Sequence, residues 1–98
     1  MQLNEYQEKA QEFSQYPGKD YGELGFAALG LANQVGKAAK MAQKHDIERE
    51  ISPDEYKKAL GGALWFIAEL AHQAGVTLEQ VAQANLRYLA SKEFKPLD

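Results

Sequence analysis

Few of the charged side chains in this 98-residue chain have a spacing that suggests chemistry. Glu69 and His72 stand three residues apart, a spacing that puts two side chains on one face of a helix. Together they would supply half of a metal site. No second histidine lies nearby in the sequence, so an exposed ion pair is the favoured interpretation. His45 lies close to a predicted helix end, where a contact with the helix dipole accounts for it.

Several common catalytic motifs are missing from the sequence. The chain has no cysteine, which removes disulfides and thiolate metal sites. We find no nucleophile–histidine pairing, no Walker loop for phosphate and no zinc-ligand spacing. The sequence therefore does not predict a nucleophilic hydrolase, a P-loop enzyme or a zinc protein.

Polar and aromatic residues are the remaining candidates for ligand binding. Lys37 and Lys40 could hold a phosphate as fixed positive charges, or could be solvated lysines on a helix surface. Gln34 and Asn85 could contact the edge of a nucleobase, or could satisfy buried polar neighbours. Trp65 could stack on a base, but aromatic residues at helical spacing more often lie in a core or an interface. An interface is the favoured interpretation for Trp65.

Composition and size limit the kind of protein. Hydrophobic residues make up 45% and charged residues 26%, as in ordinary globular domains. The net charge of −3 gives no attraction to nucleic acid or to an anionic membrane. No apolar stretch is long enough to span a bilayer, and the start does not resemble a signal peptide. We expect one cytoplasmic domain over residues 1–98, which binds neither nucleic acid nor membrane.

A domain of this length buries little apolar surface by itself. Without disulfides, pairing of chains is a common way to extend the core. We therefore expect a homodimer or a homotetramer, and the sequence does not choose between them.

Helix starts are marked by a capping residue followed three positions later by Glu or Gln. These signals occur at Asn4 with Gln7, Asp20 with Glu23, Ser52 with Glu55, and Thr77 with Gln80. The first helix is expected to end near Tyr16, before Pro17-Gly18, and the third at Gly75. The charged segment 45–51 is predicted to connect the second and third helices. No segment alternates with period two, so we predict an all-α, four-helix bundle.

Apolar residues within these helices recur every three or four positions, which predicts one buried stripe per helix. The stripes comprise Leu24, Ala28, Leu31, Val35, Ala38 and Ala42 in the second helix, Leu60, Leu64, Ile67 and Ala71 in the third, and Leu78, Ala82, Asn85 and Leu89 in the fourth. Five glycines also lie inside predicted helices, namely Gly25, Gly30, Gly36, Gly61 and Gly62. Close helix–helix contact explains them more simply than space for a ligand.

Four segments resemble the MazG-type nucleoside triphosphate pyrophosphohydrolases. Residues 29–40, LGLANQVGKAAK, are similar to the family's LGLAGEAGEVAE helix, and residues 59–66, ALGGALWF, to its ELGDVLWYL helix. Residues 76–86, VTLEQVAQANL, are similar to ISLEEVAEANL, and NEYQ at 4–7 to the xxYQ opening. The resemblance runs from about residue 3 to about residue 92, with the segments in the family's order.

The resemblance implies an all-α fold with a core completed by dimerisation, and cleavage of nucleoside triphosphates to monophosphate and pyrophosphate with Mg²⁺. In the family, an E-x-x-E pair on one helix and an E-x-x-D pair on the next hold the metal. Carboxylates three apart share a helix face, and hard cations prefer oxygen ligands.

In this chain none of the four corresponding positions is acidic. They are occupied by Gln34, Lys37, Ala59 and Gly62. A further family carboxylate corresponds to Lys40, a family lysine to Tyr88 and a family arginine to Lys92, while Asn85 keeps a polar position. Lysines in place of acids would repel Mg²⁺, so we expect neither a metal cofactor nor a catalytic residue.

We therefore expect a non-catalytic MazG-like homologue that acts as an oligomeric binding or interaction module, with a phosphorylated small molecule or a nucleotide as its candidate ligand. The candidate ligand-binding residues are Gln34, Lys37, Lys40, Trp65, Asn85 and Tyr88. Two alternatives stay open. One is an active pyrophosphohydrolase that uses other acids or a partner chain, and the other is a purely structural oligomer.

Overall fold

A computed structural model of the chain describes residues 1–16, 19, 24–50 and 52–91. These residues form four α-helices, α1 (Leu3–Gln11), α2 (Gly25–Glu48), α3 (Pro53–Gln73) and α4 (Leu78–Ala90). The described ranges contain no strand, so the all-α prediction is confirmed. Within them, no helix has both the length and the apolar character needed to cross a membrane.

The helices α2 and α3 form an antiparallel hairpin. Gly30 lies against Phe66, and Gln34, one turn further along α2, lies against Gly62, one turn earlier in α3. Near the loop that joins the same two helices, Met41 and Tyr56 line one pocket. The helix α1 packs on α3, and α4 packs on α1 and α3. The hairpin is thus the largest packed unit of the chain.

Three of the predicted helix boundaries are confirmed. The Ser52 hydroxyl accepts a hydrogen bond from the Glu55 amide at 3.4 Å, with Pro53 at the first helical position. Thr77 and Gln80 form a reciprocal capping box at the start of α4. Gly75 ends α3 with φ +78°, a conformation that glycine adopts without steric cost. Its amide donates to the His72 carbonyl in a Schellman-type end.

Two other boundaries differ from the prediction. The helix α1 ends at Gln11, not near Tyr16, because the chain turns after Gln11 to bring the Ser14 side chain onto α3. The helix α2 continues through Glu48, so most of the segment predicted as a connection is helical. It ends at Arg49, which has a left-handed φ of 62°. The predicted signals at Pro17-Gly18, Asp20 and Glu23 lie outside the described residues.

The predicted capping box at the start of α1 is wrong. Asn4 and Gln7 lie inside α1, and their side chains cap a different helix. The Gln7 Oε1 accepts from the Leu78 amide at 2.9 Å, and the Asn4 Oδ1 accepts from the Glu79 amide at 3.0 Å. The first amides of a helix have no partner within it. Residues of α1 therefore satisfy donors that α4 cannot satisfy alone.

The buried core of the described residues consists almost entirely of alanine. Its hydrophobic members are Ala10, Ala27, Ala59, Ala63, Ala68, Ala71 and Leu78, with Tyr6 packed against it. Six alanines and one leucine bury little apolar surface compared with larger side chains. The chain by itself thus has a thin core.

The buried stripe predicted for α2 does not lie on α3. Val35 is 53% exposed, and α2 buries only Ala27. On α3, Leu60 is 57% exposed. The contact between α2 and α3 runs instead through Gly30 against Phe66 and Gln34 against Gly62. The predicted stripe falls beside this contact, and of its α2 members only Leu31 and Ala38 are half-buried. Some of the stripe is correctly predicted, since Ala71 of α3 and Leu78 of α4 are buried.

Candidate functional site

The four positions that correspond to the family's metal ligands lie together where α2 and α3 meet. The Gln34 side chain covers Gly62, so that a Cβ added to this glycine would lie less than 3 Å from it. Gln34, Lys37 and Ala59 also line one cleft between the two helices. The sequence comparison with the family thus selects residues that are neighbours in space.

This cleft, hereafter the lysine cleft, has a volume of about 420 Å³. Its lining residues are Gln34, Lys37, Lys40 and Met41 of α2 and Glu55, Lys58 and Ala59 of α3. Three of them were predicted from the sequence as ligand-binding residues. Lys58 was not, because the family segment that resembles this chain begins one residue later, at Ala59.

The charges that line the cleft favour anions. Its three lysines and one glutamate leave a surplus of two positive charges. Among the described residues, no carboxylate lies within 4 Å of any of these lysines. Three other lysines are paired, namely Lys9 with Glu5 at 3.0 Å, Lys44 with Glu48 at 3.8 Å, and Lys57 with Asp54 at 3.8 Å.

Ligands for a cation are lacking in the same region. Over the described ranges, no three side chains among His, Asp and Glu are grouped as a metal site would require. In the cleft itself Glu55 is the single carboxylate among the lining residues. Divalent hard cations need several oxygen ligands. The arrangement therefore suits a negatively charged ligand better than a metal ion.

Three other predicted ligand-binding residues do not line the cleft. The Trp65 indole donates to the Ala10 carbonyl at 3.2 Å, and its ring meets Phe66 edge-on at 4.9 Å between centroids. Trp65 of α3 thus packs against α1. Asn85 and Tyr88 lie on α4, where both are exposed. The structure does not bring these three residues to Lys37.

The prediction of an exposed Glu69–His72 ion pair is wrong. Glu69 is fully buried, whereas His72 is exposed. The Glu69 carboxylate accepts hydrogen bonds from Gln11 Nε2 at 2.6 Å and from Ser14 Oγ at 2.7 Å. Buried carboxylates need such donors, because an unpaired polar group in the interior is costly. Glu69 therefore fastens the end of α1 to α3 and is not part of a metal site.

Two tyrosines, Tyr16 beside this contact and Tyr6 on the alanine core, have pKa values shifted in favour of the neutral phenol. Burial raises the pKa of Tyr16, a hydrogen bond with Gln73 lowers it, and the negative charge of Glu69 raises it further. Burial also raises the pKa of Tyr6. Both phenols therefore stay protonated well above neutral pH and act here as packing groups. The Tyr16 ring stacks on Phe26, with centroids 5.6 Å apart.

Comparison with known proteins finds a similar chain in a bacteriophage. The chain is similar to the "Gene 37 protein" of Mycobacterium phage L5, with 28% identity over 102 aligned positions that cover 95% of this chain and 90% of that protein. No family model matches the chain. No solved structure matches it either.

Proposed function

We propose that this chain is a non-catalytic relative of the MazG-type pyrophosphohydrolases and that it acts as an oligomeric interaction module. The observation that carries the proposal is an apolar surface of the α2–α3 hairpin that the single chain leaves uncovered. The composition of the core and the charges at the family's metal positions support the same proposal.

The uncovered surface, hereafter the apolar face, is continuous across both helices. It comprises Leu24 just before α2, Ala28, Leu31, Val35 and Ala42 within α2, and Leu60, Leu64 and Ile67 of α3. Successive residues of a helix are about 100° apart, which places the α2 members beside the line of contact with α3. The α3 members lie on the corresponding side. Because the two helices are antiparallel, both sets share one surface of the hairpin.

Four large apolar side chains of this face are exposed to solvent. Leu24 is 43%, Val35 53%, Leu60 57% and Ile67 38% exposed. Contiguous apolar patches on soluble proteins mark interaction sites more often than inert surface. The same residues follow the three-and-four spacing of a buried stripe, so the sequence is patterned for a burial that one chain does not provide.

A second copy of the chain is the occupant that we propose for this face. The core of one chain holds six alanines and one leucine among its buried hydrophobic residues. A twofold axis would place the same surface on both copies, and the larger residues of each would then cover those of the other. The result would be a four-helix core from two hairpins, with the leucines and valine that the single chain lacks inside.

Hydrolysis by the family mechanism is not part of the proposal. That mechanism needs a metal ion between the two helices, and the four positions concerned carry an amide, an ammonium group and no carboxylate. An active enzyme would have to take its acids from elsewhere in the chain or from a partner.

Self-association is tested by comparing two substitutions in α2. Val35→Glu places a charge in the apolar face, and Ile47→Glu places one at a position that is 75% exposed and points away from α3. We expect the wild type and Ile47→Glu to be dimers or tetramers in sedimentation velocity, and Val35→Glu to be monomeric or unfolded. The proposal would be refuted by a wild-type protein that stays a folded monomer at about 100 µM, a concentration at which an interface with a typical Kd would be formed.

The absence of turnover is tested separately. The protein is incubated with each common nucleoside triphosphate and with Mg²⁺ or Mn²⁺, and pyrophosphate release is measured. We expect no release above the background without protein. Release above that background would favour the active-enzyme alternative and would contradict the non-catalytic part of the proposal, whatever the oligomeric state.

A further inference from the structure

The lysine cleft lies on the side of the hairpin opposite to the apolar face. By the same helical geometry, Lys37 and Lys40 of α2 and Lys58 of α3 all fall on that side. A dimer formed through the apolar face would therefore leave the cleft open to solvent. A ligand in the cleft and a partner chain on the apolar face would thus occupy different sides of the hairpin.

We propose that the lysine cleft binds the single phosphate group of a small organic phosphomonoester without a metal ion, and that Lys58 is one of the binding residues. This inference rests on the proposed function only in that no metal occupies the α2–α3 contact.

The charge of the lining matches one phosphate group. Three lysines and Glu55 leave a surplus of two positive charges. A phosphomonoester carries a charge of about −1.5 to −2 at neutral pH. A diphosphate or triphosphate would bring more negative charge than the lining neutralises, and without metal it would meet Glu55. The match therefore favours a monoester over the longer phosphates.

The three lysines are free to bind such a group. None of them has a carboxylate within 4 Å among the described residues, whereas Lys57, the neighbour of Lys58 in sequence, is paired with Asp54. Lysine is a common phosphate ligand because its ammonium group acts as a point charge with three donors. The Gln34 amide at the same cleft can add a neutral hydrogen-bond donor.

The remaining part of the cleft fits an organic group. Its volume of about 420 Å³ is within the range of small-molecule sites, about 300–1,000 Å³. Met41 and Ala59 contribute apolar surface between the charged residues. Inorganic phosphate would leave this surface unused, so an ester with an apolar group should bind more tightly.

The test uses the full chain, EDTA in all solutions, and isothermal titration with phenyl phosphate. Lys58→Gln and Lys57→Gln form a matched pair, since both remove one charge from adjacent positions of α3. We expect Lys58→Gln and Lys37→Gln each to weaken binding about tenfold, as for the loss of one charge-assisted hydrogen bond. Lys57→Gln should bind like the wild type, and Lys58→Arg should retain most of the affinity.

Three results would overturn the inference. They are no binding of phenyl phosphate in EDTA, equal weakening by Lys57→Gln and Lys58→Gln, and inorganic phosphate binding as tightly as the ester. Each is independent of the oligomeric state and of pyrophosphate release. A monomeric or catalytically active protein that still binds through Lys58 would refute the proposed function alone.

Discussion

Gly30 and Gly62 show how single residues set the distance between α2 and α3. A Cβ on Gly30 would lie less than 3 Å from the Phe66 ring, and one on Gly62 would meet the Gln34 side chain. By contrast, a Cβ on Gly36 would have nothing within 4 Å. Glycine within a helix costs stability relative to alanine. At Gly30 that cost is offset by close packing, whereas at Gly36 the described residues provide no such packing.

This difference predicts opposite effects of one substitution at two positions of α2. Gly30→Ala should destabilise the fold by about 1–3 kcal/mol, because the added methyl group overpacks the contact with Phe66. Gly36→Ala should stabilise it by about 1 kcal/mol through helix propensity. The free energy of unfolding in urea, measured at one protein concentration, gives both values. Equal effects of the two substitutions would show that α2 and α3 do not approach at Gly30.

At the scale of the elements, the arrangement of α1 and α4 depends on α1 side chains that hydrogen-bond to backbone groups at the start of α4, where the helix itself provides no partner. Gln7 accepts from the Leu78 amide and donates to the Val76 carbonyl at 3.1 Å. It therefore joins α1 to the loop before α4 and to the first turn of α4. Gln7 and Leu78 are both buried, so the Leu78 amide has no ready access to water.

Gln7→Ala should therefore cost more than the loss of an ordinary surface residue. It leaves the Leu78 amide without an acceptor, which costs about 1–3 kcal/mol for a buried group. Glu8→Ala, at the adjacent exposed position, should change stability by no more than about 0.5 kcal/mol. Hydrogen exchange provides the local readout, since the first amides of α4 should exchange faster in Gln7→Ala alone. If they are unaffected, Gln7 does not cap α4.

At the scale of the whole molecule, the two sides of the α2–α3 hairpin differ in chemistry. One side carries Val35 and Leu60 and is apolar, and the other carries the lysine cleft. In our proposals the first side meets a second copy and the second meets a phosphate. The positions that correspond to the family's metal ligands lie along the helix contact between these two sides, where Gln34 lies against Gly62.

Restoring the family's carboxylates tests that resemblance directly. The variant with Gln34→Glu, Lys37→Glu, Ala59→Glu and Gly62→Asp should be less stable than the wild type without metal, because four like charges would meet and a Cβ at Gly62 would crowd the side chain at position 34. Mn²⁺ should raise its Tm, since a ligand that binds the folded state stabilises it. The wild type should not respond to Mn²⁺.

A control variant separates a rebuilt site from added negative charge. Gln43→Glu, Lys57→Glu, Gln83→Glu and Ala84→Glu change the net charge equally but at exposed positions on three helices. Its Tm should not depend on Mn²⁺. If both variants respond alike, the four positions at the α2–α3 contact do not form a common site, and the alignment with the family is wrong.

Local signals in the sequence determined the all-α class and several helix ends. Ser52-Pro53, Thr77 with Gln80, and Gly75 act through contacts within four residues, so they could be predicted without the rest of the fold. Gln34 and Lys37, which the family pattern singles out, both line the cleft, and their role in ligand binding stays a prediction. The helix boundaries could be predicted because their physical causes are short-range in the chain.

Only the tertiary structure decided which partners distant residues would meet. Asn4 and Gln7 have the spacing of a local cap, yet they bind amides more than 70 residues away. Glu69 has the spacing of a surface pair, yet it is buried against Gln11 and Ser14. Lys58 joins the cleft because α3 packs antiparallel to α2. Spacing along a helix fixes which side chains share a face, but packing between helices determines what that face contacts.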